Sequence, residues 1–288
     1  MVKEKPIINV IGAGHLGKTI AKLISIHAAG TIQGIVNTSL SRSQAAVQFI
    51  GQGNAYASIA ELPPADLTLI TTPDDKIQAC CEQLAVAPQL TVGSIVAHCS
   101  GSLSSQVLIS VKQRNCGIAS VHPMNSFSDP ANNVMQYAGT YCAVEGEPVA
   151  SELLCALFQK IGSVTYVLDS RKKGLYHVAG VLASNYCVTL CEEAIHCLME
   201  AGVDHDMALK IVQHLMQATS AHLIQTTSPS TALTGPIHRG DVNVIQEHLK
   251  VITDDERATV YKILGLMTLK MTSLPAEIAD RIRALLLT

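Results

Sequence analysis

The sequence has no tryptophan and only 3 phenylalanines among its 288 residues, so its core must be built from aliphatic side chains. Charged residues make up only 15% of the chain, whereas hydrophobic residues make up 48%. No uninterrupted apolar run approaches the roughly 18 to 20 residues that a membrane-spanning helix needs. The sequence therefore predicts a globular protein with room for two domains and gives no indication of a membrane partner.

A strong charge of either sign is also lacking. The formal net charge is −3 at pH 7, which gives no indication of nucleic acid as a partner. The first six residues lack the features of a signal peptide, so we expect a cytoplasmic protein. The 9 cysteines follow no zinc or redox spacing, and we expect reduced core thiols and no metal site.

The most informative stretch is a glycine-rich segment near the N-terminus. An apolar run at residues 7–11 predicts a buried strand, and residues 18–28 have helical spacing. Between them lies a Gly-x-Gly-x-x-Gly pattern, which in dinucleotide-binding folds permits a tight turn, a close approach to pyrophosphate and close helix packing. The free N–H groups of the helix then face the phosphates. We predict a dinucleotide site that includes Gly12, Gly14, His15, Leu16 and Gly17.

The end of the second predicted strand, residues 31–36, indicates which dinucleotide is bound. NAD-preferring sites place Asp or Glu there to bind the ribose 2′-OH. This chain has no carboxylate there, and an arginine at this place can pair with a 2′-phosphate. The alternative is an ordinary solvated loop arginine. We predict NADP(H) as the cofactor, bound by Asn37, Ser39 and Arg42 and by Thr72 and Pro73 after a further strand.

Strands alternate with helices up to about residue 168, which predicts a parallel sheet with right-handed crossovers. The pattern beyond Asp169 is helical almost throughout, with Asp241 and Asp254 as helix N-caps and Gly202 as a C-terminal stop. We therefore predict an α/β fold with two domains. Residues 1–166 would form an NADP-binding Rossmann-type domain, and residues 167–288 an all-helical domain for substrate binding and dimerisation.

The first helix after the predicted boundary carries the leading catalytic candidates. Because imidazole titrates near neutral pH, His177 could protonate the alkoxide that hydride delivery forms. In an uninterrupted α-helix Ser184 shares the face of His177, and Asn185 lies about 80° round and about 12 Å along the axis. We predict that His177 and Asn185 are catalytic and that Ser184 binds substrate; structural roles are the alternative.

His122 is the rival proton donor. It ends a predicted parallel strand and precedes Pro123, so its ring should project where the nicotinamide lies. Ser100 follows the neighbouring strand and is predicted to hydrogen-bond the substrate or the nicotinamide amide. Helix capping or loop hydrogen bonding is the structural alternative for His122.

A turn at residues 234–241, with the sequence Thr-Gly-Pro-Ile-His-Arg-Gly-Asp, forms the third candidate group. Its two glycines and its proline impose a defined turn. Arg239, held in such a turn, could bind a substrate carboxylate in bidentate fashion, with Asp241 beside it. The alternative is an ordinary turn between helices with a solvated arginine.

Taken together, these motifs resemble a known family. They occur in the order Gly-x-Gly-x-x-Gly, Ser-Gly after the fifth strand, His-Pro-Met, Tyr-His…Ser-Asn, and Gly-Pro-Ile-x-Arg-Gly-Asp. The chain resembles the Rossmann-like oxidoreductases whose helical half is the domain of unknown function 2520, which include the PanG-type alternative ketopantoate reductases. This resemblance implies an NADPH-dependent reductase with a helical domain similar to that of 6-phosphogluconate dehydrogenase, often dimeric.

The resemblance also bears on the substrate. Ordinary ketopantoate reductases carry a lysine general acid, an asparagine four residues later and another eight residues later. Placing Asn185 on the last asparagine puts His177 at the lysine position and Val181 at the middle asparagine. The His-Pro-Met segment is also similar to the one that holds the catalytic histidine of prephenate dehydrogenases, which supports His122.

We therefore predict that NADPH reduces a 2-oxo acid, foremost 2-dehydropantoate, in the cleft between the domains. One alternative is a prephenate- or arogenate-type dehydrogenase. The other is a non-catalytic protein that senses NADPH and reports it to a partner.

Overall fold

The structure, a computed structural model, describes residues 5–288. Within this range eight strands form one sheet. The strands are β1 (Ile7–Ile11), β2 (Thr31–Val36), β3 (Asn54–Tyr56), β4 (Leu67–Ile70), β5 (Ile95–His98), β6 (Gly117–Pro123), β7 (Tyr141–Gly146) and β8 (Val164–Val167). Their order across the sheet is β3-β2-β1-β4-β5-β6-β7-β8. This order confirms the predicted α/β fold.

Helices cover the sheet and then form the rest of the chain. The first group comprises α1 (His15–Ile26), α2 (Leu40–Ile50), α3 (Asp74–Val86), α4 (Ile109–Lys112), α5 (Pro130–Gln136), α6 (Pro148–Lys160) and α7 (Lys173–Gly180). The second comprises α8 (Tyr186–Glu200), α9 (His205–Gln225), α10 (Pro236–Arg239), α11 (Val242–Val251), α12 (Asp255–Leu269) and α13 (Ala276–Leu287). The predicted helical C-terminal region is thereby confirmed.

The sheet is buried on both faces, as expected for parallel strands flanked by helices. Every residue of the central strands β4 and β5 is buried. Successive residues of one strand enter different apolar clusters: Leu69 packs with Ile20 and Ile24 of α1, whereas Ile70 packs with Ile77 of α3. This alternation fixes the register of the strands and so places their carboxyl ends at one edge.

The sheet differs from the sequence prediction at its last two strands, β7 and β8, which run opposite to the other six. Strand β7 pairs with β6 in antiparallel fashion, with Gly146 opposite Ala119, whereas the other neighbouring pairs among the described strands are parallel. The backbone N–H of Met124 donates to the carbonyl of Tyr141 over 2.9 Å, so β7 starts beside the place where β6 ends. An antiparallel strand needs no crossover to the opposite edge, and a short connection suffices.

The chain divides into two compact units, one that runs to Asn185 and one that starts at Tyr186. Helix α7 belongs to the first unit because Lys173 is buried there and its ammonium donates to the carbonyl of Ser100 over 2.9 Å. The second unit consists of helices around a small apolar core that includes Ile237. The domain bounds of 1–166 and 167–288 stay predictions.

Two of the three predicted helix ends have the expected geometry. The Asp254 carboxylate caps α12 by accepting from the N–H of Arg257 over 2.7 Å, and Gly202 has a φ of +90° just beyond α8. Asp241 is the N-cap residue of α11, as predicted, but its side chain makes no described capping hydrogen bond. The Asp241 carboxylate instead accepts from Nε of Arg239 over 2.8 Å.

Several properties expected from composition can be compared with the structure. No helix among residues 5–288 is long and apolar enough to cross a membrane. All 9 cysteines are free thiols. Four of them are buried and Cys197 is exposed, so the expectation of core thiols holds only in part. In the described part of the chain, no group of three or more His, Cys, Asp or Glu side chains could hold a metal ion.

Candidate functional site

The glycine loop after β1 is shaped for a close approach to another molecule. Gly12 has a φ of +88°, and a Cβ on it would lie 2.9 Å from the backbone nitrogen of Thr72. A Cβ on Gly17 would lie 2.9 Å from the carbonyl oxygen of Gly12, so the start of α1 packs against the loop. Gly14 has no such close neighbour, because no described neighbouring atom lies within 4 Å of the position that a Cβ on it would take. The backbone at Gly14 therefore faces open space.

The N-terminus of α1 borders this space and has no described side-chain cap, although the N–H of Gly14 donates to the carbonyl of Gly12 over 2.7 Å. Gly14 is the N-cap residue, and neither a described side-chain cap nor an acidic residue occupies the first turn. The first N–H groups of a helix lack intrahelical acceptors and carry the positive end of its dipole, so they favour an anion. His15 contributes its backbone here, because Nδ1 of its ring is occupied at 3.1 Å from the carbonyl oxygen of Phe127. The Leu16 side chain packs against the core.

A cavity of about 550 Å³ opens beside the loop. Its wall includes Gly12, Gly14, Asn37, Thr38, Thr72 and Pro73. Two cations, Arg42 and Lys76, also line it, and none of the described lining residues is acidic. The cavity therefore favours an anionic ligand. Sequence reasoning missed Lys76, which enters from the first turn of α3.

The side chains after β2 hold Arg42 in place. Ser39 caps α2, because its hydroxyl accepts from the N–H of Arg42 over 3.3 Å. The Arg42 guanidinium donates to the hydroxyl of Thr38 over 3.0 Å. Asn37 donates to the carbonyl of Ala13 over 3.1 Å and so ties this segment to the glycine loop. Ser39 acts as a helix cap, and Arg42 is the charged group that faces the cavity.

The loop after β5 changes the interpretation of Ser100. Its hydroxyl donates to Oδ2 of Asp74 over 2.7 Å and accepts from the N–H groups of Ser102 and Leu103 over 3.1 and 2.9 Å. A hydroxyl has one proton and two lone pairs, so Ser100 is fully used. The prediction that Ser100 bonds a ligand is corrected by these contacts. Ser102 is exposed, and its hydroxyl also donates to Asp74 over 2.7 Å, which leaves acceptor capacity for a ligand.

A buried histidine shapes this loop from within. Nδ1 of His98 accepts from the N–H of Ser100 over 3.1 Å, and Nε2 lies 3.2 Å from the carbonyl oxygen of Ser104. Nε2 therefore carries the proton. Burial lowers the pKa of His98 to about 4, and the nearby Lys173 ammonium adds to the shift. His98 is thus neutral at pH 7 and serves the loop conformation.

Two further histidines meet beside Gly101, which is buried. A Cβ on Gly101 would lie 2.6 Å from Nδ1 of His177 and 2.8 Å from Nε2 of His122. The two rings are edge-on, with centroids 6.0 Å apart. Cε1 of His122 is equally near, at 2.8 Å, so the edges of two imidazole rings from different elements, β6 and α7, converge beside Gly101. The sequence predicted both histidines as rivals, whereas the structure brings them together.

The two histidines differ in their capacity to supply a proton. Burial, the positive charge of Lys173 and the proximity of His177 together lower the pKa of His122 to about 4. His122 is therefore neutral at pH 7 and cannot act as an imidazolium acid. His177 is exposed at the surface of the unit. Of the pair, His177 is the one suited to exchange protons with water.

Sequence reasoning missed a buried ion pair beneath this site. Lys173 is 2% exposed and Glu145 is 4% exposed. The Lys173 ammonium donates to the carbonyl of Ser100 over 2.9 Å and to the hydroxyl of Ser120 over 2.5 Å, and it lies 3.5 Å from Oε1 of Glu145. Burial lowers the pKa of Lys173, while Glu145 opposes that shift. A glutamate within the otherwise apolar β7 was the available sequence signal.

The helix that carries His177 is interrupted, which corrects the predicted arrangement of Ser184 and Asn185. Residues Val181–Asn185 form a π-helical segment between α7 and α8. A π turn takes one residue more than an α turn, so residues within and beyond it lag behind the α-helical rotation. Asn185 consequently comes nearer to the face of His177, and Ser184 turns away from it. Segments of this kind frequently occur at functional sites.

The predicted turn at residues 234–241 lies in the second unit and is well defined. Gly235 and Gly240 have φ values of +98° and +76° and flank the four-residue helix α10. Ile237 is buried in the core of that unit, which anchors the turn. The Arg239 side chain is 60% exposed and is held by Asp241 through its Nε. The turn therefore presents a positioned guanidinium at the surface of the second unit.

Comparison with known domains agrees with this architecture. A model of a Rossmann-like domain matches residues 3–123, and a model described as "Domain of unknown function (DUF2520)" matches residues 140–268. The chain therefore carries a Rossmann-like domain followed by a DUF2520 domain. This finding confirms the resemblance drawn from the motifs at the level of the family. A comparison with curated proteins finds no match.

Solved structures share the fold of this DUF2520 protein over nearly its whole length. A candidate NADP oxidoreductase from Bacteroides fragilis is 21% identical, with a TM-score of 0.76 over 93% of this chain and 99% of that chain. The protein TM1727 from Thermotoga maritima is 24% identical, with a TM-score of 0.70 over 96% and 99%. A Plasmodium falciparum pyrroline carboxylate reductase with NADP bound is 10% identical, with a TM-score of 0.60 over 98% of both chains. At these identities the likeness shows the fold.

Proposed function

We propose that this DUF2520 protein is an NADP(H)-dependent oxidoreductase that reduces a 2-oxo acid to a 2-hydroxy acid. The observation that carries the proposal is the convergence of His122 and His177 beside Gly101, in the unit that also holds the dinucleotide loop. The Bacteroides fragilis protein is named a candidate NADP oxidoreductase, and the Plasmodium falciparum protein is a pyrroline carboxylate reductase with NADP bound. Both share this fold, which supports NADP(H) as the cofactor.

The residues around the cavity fit NADP(H). The open space at Gly14 and the N-terminus of α1 suit a pyrophosphate, since both favour an anion that approaches the backbone. Arg42 and Lys76 supply positive charge for a 2′-phosphate. The cofactor, when bound, supplies the hydride.

The protein's own contribution is to handle the carbonyl oxygen. His177 would give a proton to the carbonyl oxygen of the oxo acid, from which the hydroxyl of the product forms. His122 is neutral and orients the same oxygen. Asn185, close to the face of His177, is proposed to contact the substrate. Arg239 and Asp241 stay predictions as substrate-binding residues.

The acceptor groups at Asp74 and Ser102 suit an amide. Asp74 receives hydroxyl protons from Ser100 and Ser102 through one oxygen, Oδ2. This pair of contacts leaves acceptor capacity on the Asp74 carboxylate and on the Ser102 hydroxyl. An amide NH₂ group, such as that of nicotinamide, supplies the two donors that these acceptors need. We therefore propose that Asp74 and Ser102, rather than Ser100, bind the amide.

The substrate that we propose first is 2-dehydropantoate. A dehydrogenase of the prephenate or arogenate type is the second candidate, because a neutral His122 can accept a proton from an alcohol in the oxidative direction. Prephenate dehydrogenase from Aquifex aeolicus shares the fold, with 14% identity and a TM-score of 0.54 over 76% of this chain and 90% of that chain. An NADPH-sensing role without turnover is the non-enzymatic alternative.

Assembly and location are further proposals. The second unit exposes large apolar side chains on α8 and α9, among them Val188 at 70% and Ile224 at 84%. Exposed apolar surface of this kind is typical of contact surfaces between proteins and supports a homodimer. A cytoplasmic location stays a prediction.

The test of the proposed function is a screen of NADPH oxidation with branched 2-oxo acids, including 2-dehydropantoate. We expect a substrate-dependent loss of NADPH absorbance and formation of the 2-hydroxy acid. Oxidation of prephenate or arogenate with NADP⁺, but no reduction of any oxo acid, would favour the second candidate. Tight NADPH binding without turnover of any of these compounds would favour the sensor.

Substitution of Gly101 by alanine tests the convergence of the two histidines. The new Cβ would lie 2.6 to 2.8 Å from both ring nitrogens, so the rings must move. A displacement of catalytic groups by about 1 Å can cost on the order of 100-fold in rate, and we expect a loss of kcat of about this size. Gly174→Ala is the control, because nothing described lies within 4 Å of its Cβ position. Equal kcat values for the two variants would contradict the proposed geometry.

Substitution of Arg42 by alanine tests the choice of cofactor. Loss of charge-assisted hydrogen bonds to a 2′-phosphate should raise the Kd of NADPH by about 10- to 100-fold. The Kd of NADH should change little, because it has no 2′-phosphate. Titration calorimetry with both nucleotides measures the difference. Arg171→Ala, at an arginine paired with Asp169 outside the cavity, is the control. If Arg42→Ala weakens NADH as much as NADPH, Arg42 does not recognise the phosphate.

A further inference from the structure

The His122 ring has a close partner on α7. The phenol of Tyr176 lies 2.9 Å from Nδ1 of His122 and 3.4 Å from its carbonyl oxygen. The two rings are edge-on, with centroids 5.5 Å apart and planes at 89°. Tyr166 of β8 packs against the other side of Tyr176, with centroids 6.4 Å apart. Tyr176 thus contacts His122 at Nδ1, the ring nitrogen that is not among the atoms nearest to the Cβ position of Gly101.

We propose that Tyr176 is a positioning residue that fixes His122 as the neutral tautomer with its proton on Nε2. A neutral imidazole has one donor and one acceptor nitrogen, and the hydrogen bond at one nitrogen selects the role of the other. The phenol has a single proton, and Nδ1 is the nearer of the two His122 acceptors, while the side chain of Tyr166 is a competing partner of the phenol. Donation to Nδ1 therefore leaves the proton of His122 on Nε2.

The tautomer decides what His122 can do at the point beside Gly101. Nε2 lies on the ring edge that borders that point, 2.8 Å from the Cβ position of Gly101, so a proton on Nε2 makes His122 a hydrogen-bond donor to a carbonyl oxygen bound there. The opposite tautomer would present a lone pair and repel the same oxygen. This inference rests on the proposed reductase function. It gives the two histidines different roles. His122 polarises the carbonyl, and His177 transfers the proton.

The surroundings of the pair keep both partners in the required state. Burial and the contact with Tyr166 raise the pKa of Tyr176, so the phenol keeps its proton. The Lys173 ammonium and His177 disfavour a charged His122, while Asp74 opposes them. Because His122 stays neutral well below pH 7, its role depends on which ring nitrogen carries the proton and not on its charge.

The experiment is nitrogen NMR of the histidine rings in the full chain, with the Tyr176→Phe variant beside the wild type. We expect the wild-type His122 signals to show a protonated Nε2, and the variant to lose this preference. His122→Gln identifies the signals. For any oxo acid that the screen shows to be reduced, we expect the kcat of Tyr176→Phe to be about two- to tenfold below that of the wild type, as for loss of one neutral hydrogen bond. The Kd of NADPH should be unchanged.

The second unit offers a matched control. The phenol of Tyr261 lies 2.8 Å from Nδ1 of His248, with the rings edge-on and centroids 5.8 Å apart. Tyr261→Phe should alter the His248 signals and leave kcat unchanged. A protonated Nδ1 in wild-type His122, or an unaltered tautomer in Tyr176→Phe, would overturn the proposal. The NMR readout needs no turnover, so failure of every substrate in the screen would count against the reductase function and not against the tautomer.

Discussion

Replacement of His177 by alanine should lower kcat by about 100- to 10,000-fold, the usual worth of general acid–base assistance. His177 is the exposed member of the histidine pair, whereas burial holds His122 neutral at pH 7. Without His177 the carbonyl oxygen must take its proton from water. Affinity for NADPH should be kept, because His177 does not line the nucleotide cavity. Steady-state kinetics with the substrate found in the screen, together with NADPH titration, measures both quantities.

A second histidine variant separates the loss of His177 from a general effect on folding. His205→Ala is the control, because this histidine is 61% exposed at the start of α9 in the second unit. Turnover in His177→Ala equal to that of the wild type would remove His177 from the mechanism, and equal losses in both variants would indicate a general effect on folding.

The parts of the fold that follow from local sequence were predictable. The glycine loop is one such part, because Gly12 and Gly17 leave a pattern within six residues, although the contacts that require them include Thr72 and Thr71 after β4. The buried strands β4 and β5 are another, since both faces of a parallel sheet are apolar. Strand β3 has only three residues, too few for a periodic signal. The sense of β7 depends on where the chain returns to the sheet, which no local pattern encodes.

The candidate site was predictable only one residue at a time. His122 and His177 are 55 positions apart in sequence, and only the packing of α7 on the sheet shows that their ring edges converge beside Gly101. Ser100 was chosen for its place after a strand, but its hydroxyl is used by three neighbours within the protein. The π-helical segment was missed because its residues continue an apolar helical pattern. Tertiary contacts decide all three points.

The buried ion pair beneath the site leads to a large expected effect on stability. Lys173→Met should lower the free energy of unfolding by about 3 kcal/mol, because removal of one partner leaves the other charge buried without compensation. The value lies at the lower end of the range for such pairs, because Glu145 also accepts hydrogen bonds from the Ser105 N–H and from the hydroxyls of Ser105 and Ser120. Urea unfolding followed by circular dichroism measures the change.

A second substitution separates the lost charge balance from lost packing. Adding Glu145→Gln to Lys173→Met removes the remaining buried charge, and replacement of a whole buried pair is often close to neutral, so most of the stability should return. Lys250→Met is the exposed control, because the pair of Lys250 with Glu247 is more than half exposed on both sides and should contribute less than about 1 kcal/mol. A Lys173→Met protein as stable as the wild type would mean that Glu145 is compensated without Lys173. A double variant no more stable than Lys173→Met would mean that packing of the lysine chain dominates. The outcome also bears on catalysis, because Lys173 joins the carbonyl of Ser100, next to Gly101, to the helix that carries His177.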